Sequence, residues 1–135
     1  MRVSGAGLTV QDLRCEYLAD PLGIDVPAPR LSWTLGSDQR GQRQTAYQIL
    51  VASTAERLAS DAGDVWDSGK VASDQSIQVE YTGKPLTSRM QCFWKIRSWT
   101  AQSGGKEEET LWSKPARWTM GLLKPQDWQA KWVRW

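Results

Sequence analysis

Gln44-Thr45-Ala46-Tyr47-Gln48-Ile49-Leu50-Val51-Ala52-Ser53 (residues 44–53) is the stretch whose reading decides the fold. Tyr47, Ile49 and Val51 alternate at period two among β-branched and aromatic neighbours, which marks a strand with one face in a core. The opposite phase carries Ala46, Gln48, Leu50 and Ala52, small or polar enough that only partial cover is expected there. Arg40-Gly41-Gln42-Arg43 reads as the polar turn before it. Thr54–Gly63 reads as a short helical insertion after it, with Ser53 or Thr54 as N-cap, Glu56 completing a capping box with Ser53, and Gly63 as the stop.

Working outward, the same alternation recurs in short pieces separated by turn signals. Towards the N-terminus, Leu31, Trp33 and Leu35 share one phase, preceded by a Pro-rich loop (residues 20–29) that cannot be helical. Further back, Leu8 and Val10 alternate, then Leu13, Cys15 and Tyr17; the change of phase predicts a bulge near Gln11 or Asp12. Towards the C-terminus, Asp67-Ser68-Gly69 is a turn, Ile77, Val79 and Tyr81 alternate, and Cys92, Trp94 and Ile96 face opposite to Phe93, Lys95, Arg97 and Trp99. Glu107-Glu108-Glu109 reads as a solvated hairpin tip, and Pro115–Met120 as the last strand. About seven strands and one helical insertion predict an all-β sandwich of the immunoglobulin-like or fibronectin type III kind. Its expected core is Leu31, Trp33, Tyr47, Ile49, Val51, Ile77, Val79, Trp94, Ile96 and Trp118.

Composition narrows the function classes. The 135 residues carry a net charge of +2 with the basic residues scattered, unlike the clustered Lys and Arg of a nucleic-acid binder. His is absent and there are two cysteines, too few for a metal site. Cys15 and Cys92 both fall on apolar phases and can meet in the core; buried reduced thiols are the simpler expectation, a disulfide the alternative. No signal or membrane-spanning stretch is read in the sequence, so a cytoplasmic location is expected. Nine Trp against one Phe is the unusual figure. So much indole points to an aromatic core, a sugar-stacking surface, a large interface, or a mixture.

One longer string narrows the reading further. Leu13-Arg14-Cys15-Glu16-Tyr17, Pro21-Leu22-Gly23-Ile24-Asp25, Pro29-Arg30-Leu31-Ser32-Trp33, Gln44–Ile49 and Trp66-Asp67-Ser68-Gly69-Lys70-Val71 follow one another in order. With Trp112-Ser113, Gly121-Leu122-Leu123 and Asp127-Trp128, this string resembles the N-terminal fibronectin III-like domain of bacterial α-L-rhamnosidases across nearly the whole chain. Asp20 departs from it, standing where an Asn is expected before the Pro. The resemblance implies a large glycoside hydrolase that removes terminal α-L-rhamnose with inversion, its catalytic residues in an (α/α)₆ barrel beyond Trp135. None of that barrel's acidic motifs has a matching position here, so no catalytic residue carries over.

The residues agree with a chain lacking chemistry of its own. Inverting hydrolysis needs two carboxylates roughly 6.5–9.5 Å apart across a sugar-sized cleft. Here the acids sit in turns or singly on strands, and large aromatic side chains are expected to fill the core. No cofactor is expected. The expected organisation is a sandwich over residues 1–123, then a linker and the start of the next β-sandwich domain over 124–135. The expected partners are adjacent domains of the same polypeptide, with Trp128, Trp132 and Trp135 at that interface. The alternative is a carbohydrate-binding module presenting rhamnosides, with Trp66, Trp99 and Trp112, which lie off the main inward phase, as the stacking rings.

Overall fold

The computed structural model describes residues 8–37, 43–101 and 105–122. Within these residues, eight strands and one short helix form two antiparallel sheets. The smaller joins β1 (Leu8–Cys15), β2 (Arg30–Ser37) and β5 (Val79–Glu80) in the order β1-β2-β5. The larger contains β3 (Arg43–Ala52), β4 (Trp66–Asp67), β6 (Gln91–Ala101), β7 (Glu108–Glu109) and β8 (Ala116–Thr119). Here β4, β3 and β6 lie side by side, while β7 and β8 pair with opposite ends of β6. The expected all-β sandwich is what the chain forms.

The long β3–β6 ladder is the centre of the larger sheet, running from Arg43↔Ala101 to Ala52↔Phe93. Its inner phase delivers Tyr47, Ile49 and Val51 from β3 and Cys92, Trp94 and Ile96 from β6 into one core with Leu31 and Trp33. Trp33 meets Tyr47 edge-on at 5.2 Å, and Trp94 meets Trp118 edge-on at 6.3 Å, the geometry that ring quadrupoles favour. Cys15 and Cys92 are buried as free thiols, and burial pushes both up to about 12. They are therefore protonated and unreactive while the domain is folded.

A buried amide ties the sheets together at one end. Gln44 Oε1 accepts from Trp33 Nε1–H (2.9 Å) and from Ser98 Oγ–H (2.9 Å). Its Nε2 donates to the carbonyls of Ser73 (3.0 Å) and Gln75 (2.8 Å). All four hydrogen-bonding positions of that amide are used, which is what burial of a polar group requires. Thr100 is the contrast: its Oγ1 is buried with no partner among the described residues.

Ile77 is a correction to the expected core: it is 63 % exposed. Gln78 adopts a left-handed backbone (φ 54°), and the Gln75 side-chain amide donates to the carbonyls of Ile77 (3.0 Å) and Gln78 (3.1 Å). That kink interrupts the pleat, so Val79 and Tyr81 point inwards while Ile77 does not. The phase change expected in β1 is present, with a register shift between Gln11 and Arg14 and a left-handed Asp12 (φ 54°).

The insertion is a helix, α1 (Ala55–Ala59), but its ends differ from expectation. Thr54 is the N-cap, accepting from Arg57 N–H at 3.1 Å, so Glu56 falls one position short of a capping box. The helix stops at Asp61 (φ 59°), not at Gly63, because Asp61 N–H reaches the Leu58 carbonyl and Ala62 N–H the Arg57 carbonyl. This is the Schellman arrangement with Asp in the place usual for Gly. Leu58 then covers Leu50 and Ala52, so the outer phase of β3 is closed at this end.

Asp64 anchors the start of the insertion by accepting from Ser53 N–H (3.0 Å) and Ser53 Oγ–H (2.6 Å). Partial burial raises its pKa, but the Ser53 bonds and the nearby Arg57 outweigh this and hold the carboxyl below its usual range. A depressed carboxylate stabilises the fold above its unfolded pKa and loses that contribution as pH falls through its folded value. Replacement Asp64→Ala is expected to cost about 1–2 kcal/mol at neutral pH. In denaturant titrations the gap to the parent should narrow as pH falls below the ordinary carboxylate range; a gap constant with pH would contradict this.

For the core amide, Gln44→Leu is expected to cost about 3 kcal/mol, since it strands the Trp33 and Ser98 donors without an acceptor. Thr100→Val should be neutral or stabilising, because it removes an unpaired hydroxyl at nearly constant volume. Urea unfolding of the two variants checks the pair.

Candidate functional site

The outer phase of the β3–β6 ladder is where side-chain chemistry concentrates. Gln48 lies directly opposite Arg97, Leu50 opposite Lys95, and Ala46 opposite Trp99. Directly opposed side chains on one face are close enough to interact, so the register itself assembles the cluster. Arg97 is its hub. Its guanidinium carbon sits 4.5 Å from the centre of the Trp112 ring and 5.1 Å from that of Trp99. Nε and Nη2 both donate to Gln48 Oε1 (3.0 and 2.9 Å), and Nη1 donates to Glu109 Oε1 at 3.0 Å.

Two lysines extend the cluster in opposite directions. Lys95 Nζ lies 4.8 Å from the centre of the Trp112 ring and pairs with Asp61, the residue that ends α1. Lys70 Nζ lies 4.8 Å from the centre of the Trp99 ring and pairs with Glu107 Oε1 at 2.6 Å. Glu107 also accepts from Thr45 Oγ–H at 2.5 Å. Its hydrogen bonds from Lys70 and Thr45 hold that exposed carboxyl below its ordinary value. Gln48 Nε2 donates to Asp67 Oδ1 (2.9 Å), which also accepts from Gly69 N–H (2.9 Å). The acidic run is thus more than a solvated tip: Glu108 and Glu109 form β7, and Glu107 and Glu109 neutralise two cations of this face.

Of the three stacking candidates, Trp99 and Trp112 come together on this face, joined by Arg97. Trp99 is buried and Trp112 half-buried, each with cations against its ring. Trp66 lies elsewhere, on β4, packed edge-on against Tyr81 at 5.1 Å. Gly83 is required there: a Cβ would come within 2.5 Å of the Trp66 Cβ and 2.7 Å of the Tyr81 hydroxyl. Trp128, Trp132 and Trp135 lie outside the described residues. Arg97 and Lys95 fall on this outward phase in the sequence, with no motif there to assign them a role. Their alternation with Trp94 and Ile96 was the available signal.

Trp112 also borders a groove of about 480 Å³ between the β1 bulge and residues 111–116. Asp12, Asp20 and Lys114 lie along it with the exposed Leu111. The Asp12 carboxylate accepts from Thr34 Oγ–H (3.0 Å) and that of Asp20 from Arg117 N–H (3.0 Å). Asp20 therefore does what the Asn expected at its position could do equally through its side-chain oxygen. Among the described residues, no three of His, Cys, Asp and Glu gather to hold a metal. The arrangement is one of packing: cations over rings, carboxylates held by the domain's own donors, and a shallow groove beside them.

The sandwich has counterparts. Residues 10–124 match the family model described as the Rha78A-like, N-terminal immunoglobulin domain. The chain belongs to this family. An α-L-rhamnosidase of Streptomyces avermitilis is 46 % identical over 128 residues, which is 95 % of this chain and 12 % of that protein. The crystal structure of the Streptomyces avermitilis α-L-rhamnosidase complexed with L-rhamnose superposes with a TM-score of 0.81 at 45 % identity, covering 90 % of this chain and 11 % of that one. The α-L-rhamnosidase structure from Dictyoglumus thermophilum superposes with a TM-score of 0.82 at 36 % identity, covering 90 % and 13 %. The chain therefore spans about an eighth of the length of the relatives it matches, as the N-terminal domain of an α-L-rhamnosidase does.

Arg97→Ala tests whether the cluster is a unit. It removes two ring contacts and leaves Gln48 and Glu109 without their shared donor. It is expected to destabilise the fold by about 1–2 kcal/mol and to shift the tryptophan emission to the red. Unchanged stability and emission would show that Arg97 lies on the surface without holding Trp99 and Trp112 in place.

Proposed function

We propose that this chain is a non-catalytic structural module that docks against adjacent domains of an α-L-rhamnosidase polypeptide. The parent enzyme hydrolyses terminal α-L-rhamnose from glycosides with inversion, using residues outside this chain. The observation that carries the reading is the coverage: nearly the whole chain matches, yet it accounts for 12 % of the relative's length. The end of the family match at residue 124 supports a domain boundary close to Leu123, with the following β-sandwich beginning in the segment that holds Trp128, Trp132 and Trp135. The internal pairing of Arg97, Lys95 and Lys70 also supports a structural role, because these charges are satisfied without a ligand.

A second reading, carbohydrate binding, is favoured by one observation: Trp112 borders the 480 Å³ groove beside two carboxylates, a ring-and-acid combination suited to a sugar. Hydrolysis of a chromogenic α-L-rhamnoside, measured for this chain and for the full-length polypeptide side by side, tests the first reading. Activity in the full-length protein alone is expected. Activity in this chain would overturn the non-catalytic role, and activity in neither would overturn the assignment of the parent's reaction. Saturable quenching of this chain's fluorescence by L-rhamnose, lost in Trp112→Ala, would favour the second reading instead.

A further inference from the structure

The first half of the loop joining β1 to β2, residues 16–22, leaves large apolar side chains in solvent while its two acids bond to backbone. Two of the loop's three acidic side chains are engaged by the domain's own backbone: Glu16 Oε2 accepts from Arg30 N–H (2.5 Å) and Asp20 Oδ1 from Arg117 N–H (3.0 Å), while Asp25 is exposed. Pro21 is buried, and its carbonyl accepts from Thr119 N–H at 3.1 Å. Three large apolar side chains point the other way, although Ile24 is buried. Tyr17, Leu18 and Leu22 are 58 %, 55 % and 75 % exposed, three of the five large apolar residues left exposed among those described. Surface loops ordinarily show polar atoms to water, so three large apolar side chains exposed within six residues, beside two acids tied to backbone, are unusual. Glu16, Tyr17 and Asp20 all adopt left-handed backbone (φ 50°, 69° and 48°), and the bonds just named hold that conformation in place.

The second observation is where the chain leaves the sandwich. Ile24 N–H donates to the Thr119 carbonyl (2.8 Å), and Gly121 N–H donates to the Ile24 carbonyl (2.7 Å). Gly121 is pressed so closely on Gly23 that a Cβ would lie 3.1 Å from the Gly23 carbonyl oxygen. Residues 121–122 thus emerge against this loop, beside the neighbour of Leu22. The Streptomyces relative, of which this chain spans 12 %, supplies the scale of what can follow.

We propose that the 16–24 loop, with Leu22 at its tip, is the seat of the domain that follows Leu122 in the same polypeptide. The inference rests on the docking role proposed above and assigns it a surface. The aromatic–cation face is the poorer seat, because docking there would desolvate ion pairs that are already made. Docking on the loop buries three exposed apolar side chains and covers one ion pair, Glu16–Arg30, against the three made on the aromatic face.

Thiol accessibility in the full-length polypeptide tests it. Leu22→Cys, Leu111→Cys and Lys70→Cys report the loop, the groove side and the aromatic face, and all three native side chains are exposed. Maleimide labelling at each position is followed by peptide mass spectrometry, natively and in urea. The native rate for Leu22→Cys is expected to fall about tenfold or more below its rate in urea, while Leu111→Cys is slowed much less. Less than tenfold slowing at position 22 would overturn the proposal. If Lys70→Cys were then the protected site, docking would stand and its surface would be the aromatic face. If all three labelled freely, the docking role itself would fall as well.

Discussion

Four hydrogen bonds to one buried amide hold the two sheets in register. Gln44 sits on β3 of the larger sheet, accepts from Trp33 on β2 of the smaller, and donates to the 73–75 segment that leads into β5. A sandwich core of aliphatic and aromatic side chains is attractive but poorly directional, and many small slides of one sheet over the other preserve burial. The amide removes that freedom, because a shifted Trp33 would leave its indole N–H unpaired in a dry interior. With Trp33 fixed, its edge contact to Tyr47 is fixed, and so is the pleat that puts Gln48, Leu50 and Ala52 on the opposite face.

What the domain offers outside follows from that pleat. On the larger sheet, Arg97 and Lys95 reach rings and acids contributed by distant segments, so the charges of that face are matched internally. On the loop between β1 and β2, Glu16 and Asp20 are tied to backbone and Tyr17, Leu18 and Leu22 are outermost. The apolar prominence of Tyr17, Leu18 and Leu22 lies against residues 121–122, where the chain leaves the sandwich. Among the described residues, the acids sit singly in turns and ion pairs, without the paired acid and base in a cleft that bond chemistry needs.

Much of this was legible in the sequence, and the limits are physical. Alternation identified β2, β3 and β6 and placed Trp33, Ile49, Trp94 and Ile96 in the core, because a continuous pleat converts period two directly into sidedness. It failed at Ile77, where a left-handed Gln78 breaks the pleat without a Gly or Pro to announce it. It misplaced the helix end for the same reason, since Asp61 adopts a conformation more usual for Gly. The outward phase of Lys95 and Arg97 was readable, whereas their engagement with Trp112, Glu109 and Asp61 was not. Those partners come from segments whose approach is set by tertiary packing rather than by local pattern. Asp20 looked like a small departure from the family string, and only the Arg117 bond explains its place.

If the sandwich is a docked scaffold, its stability and that of its neighbours are coupled. Scanning calorimetry of the full-length polypeptide carrying Ile49→Ala, a cavity at the centre of the core, measures that coupling most directly. The account requires the transition of the adjoining domains to move down with that of the sandwich. A separate early transition for the sandwich, with the rest of the protein melting unchanged, would contradict it.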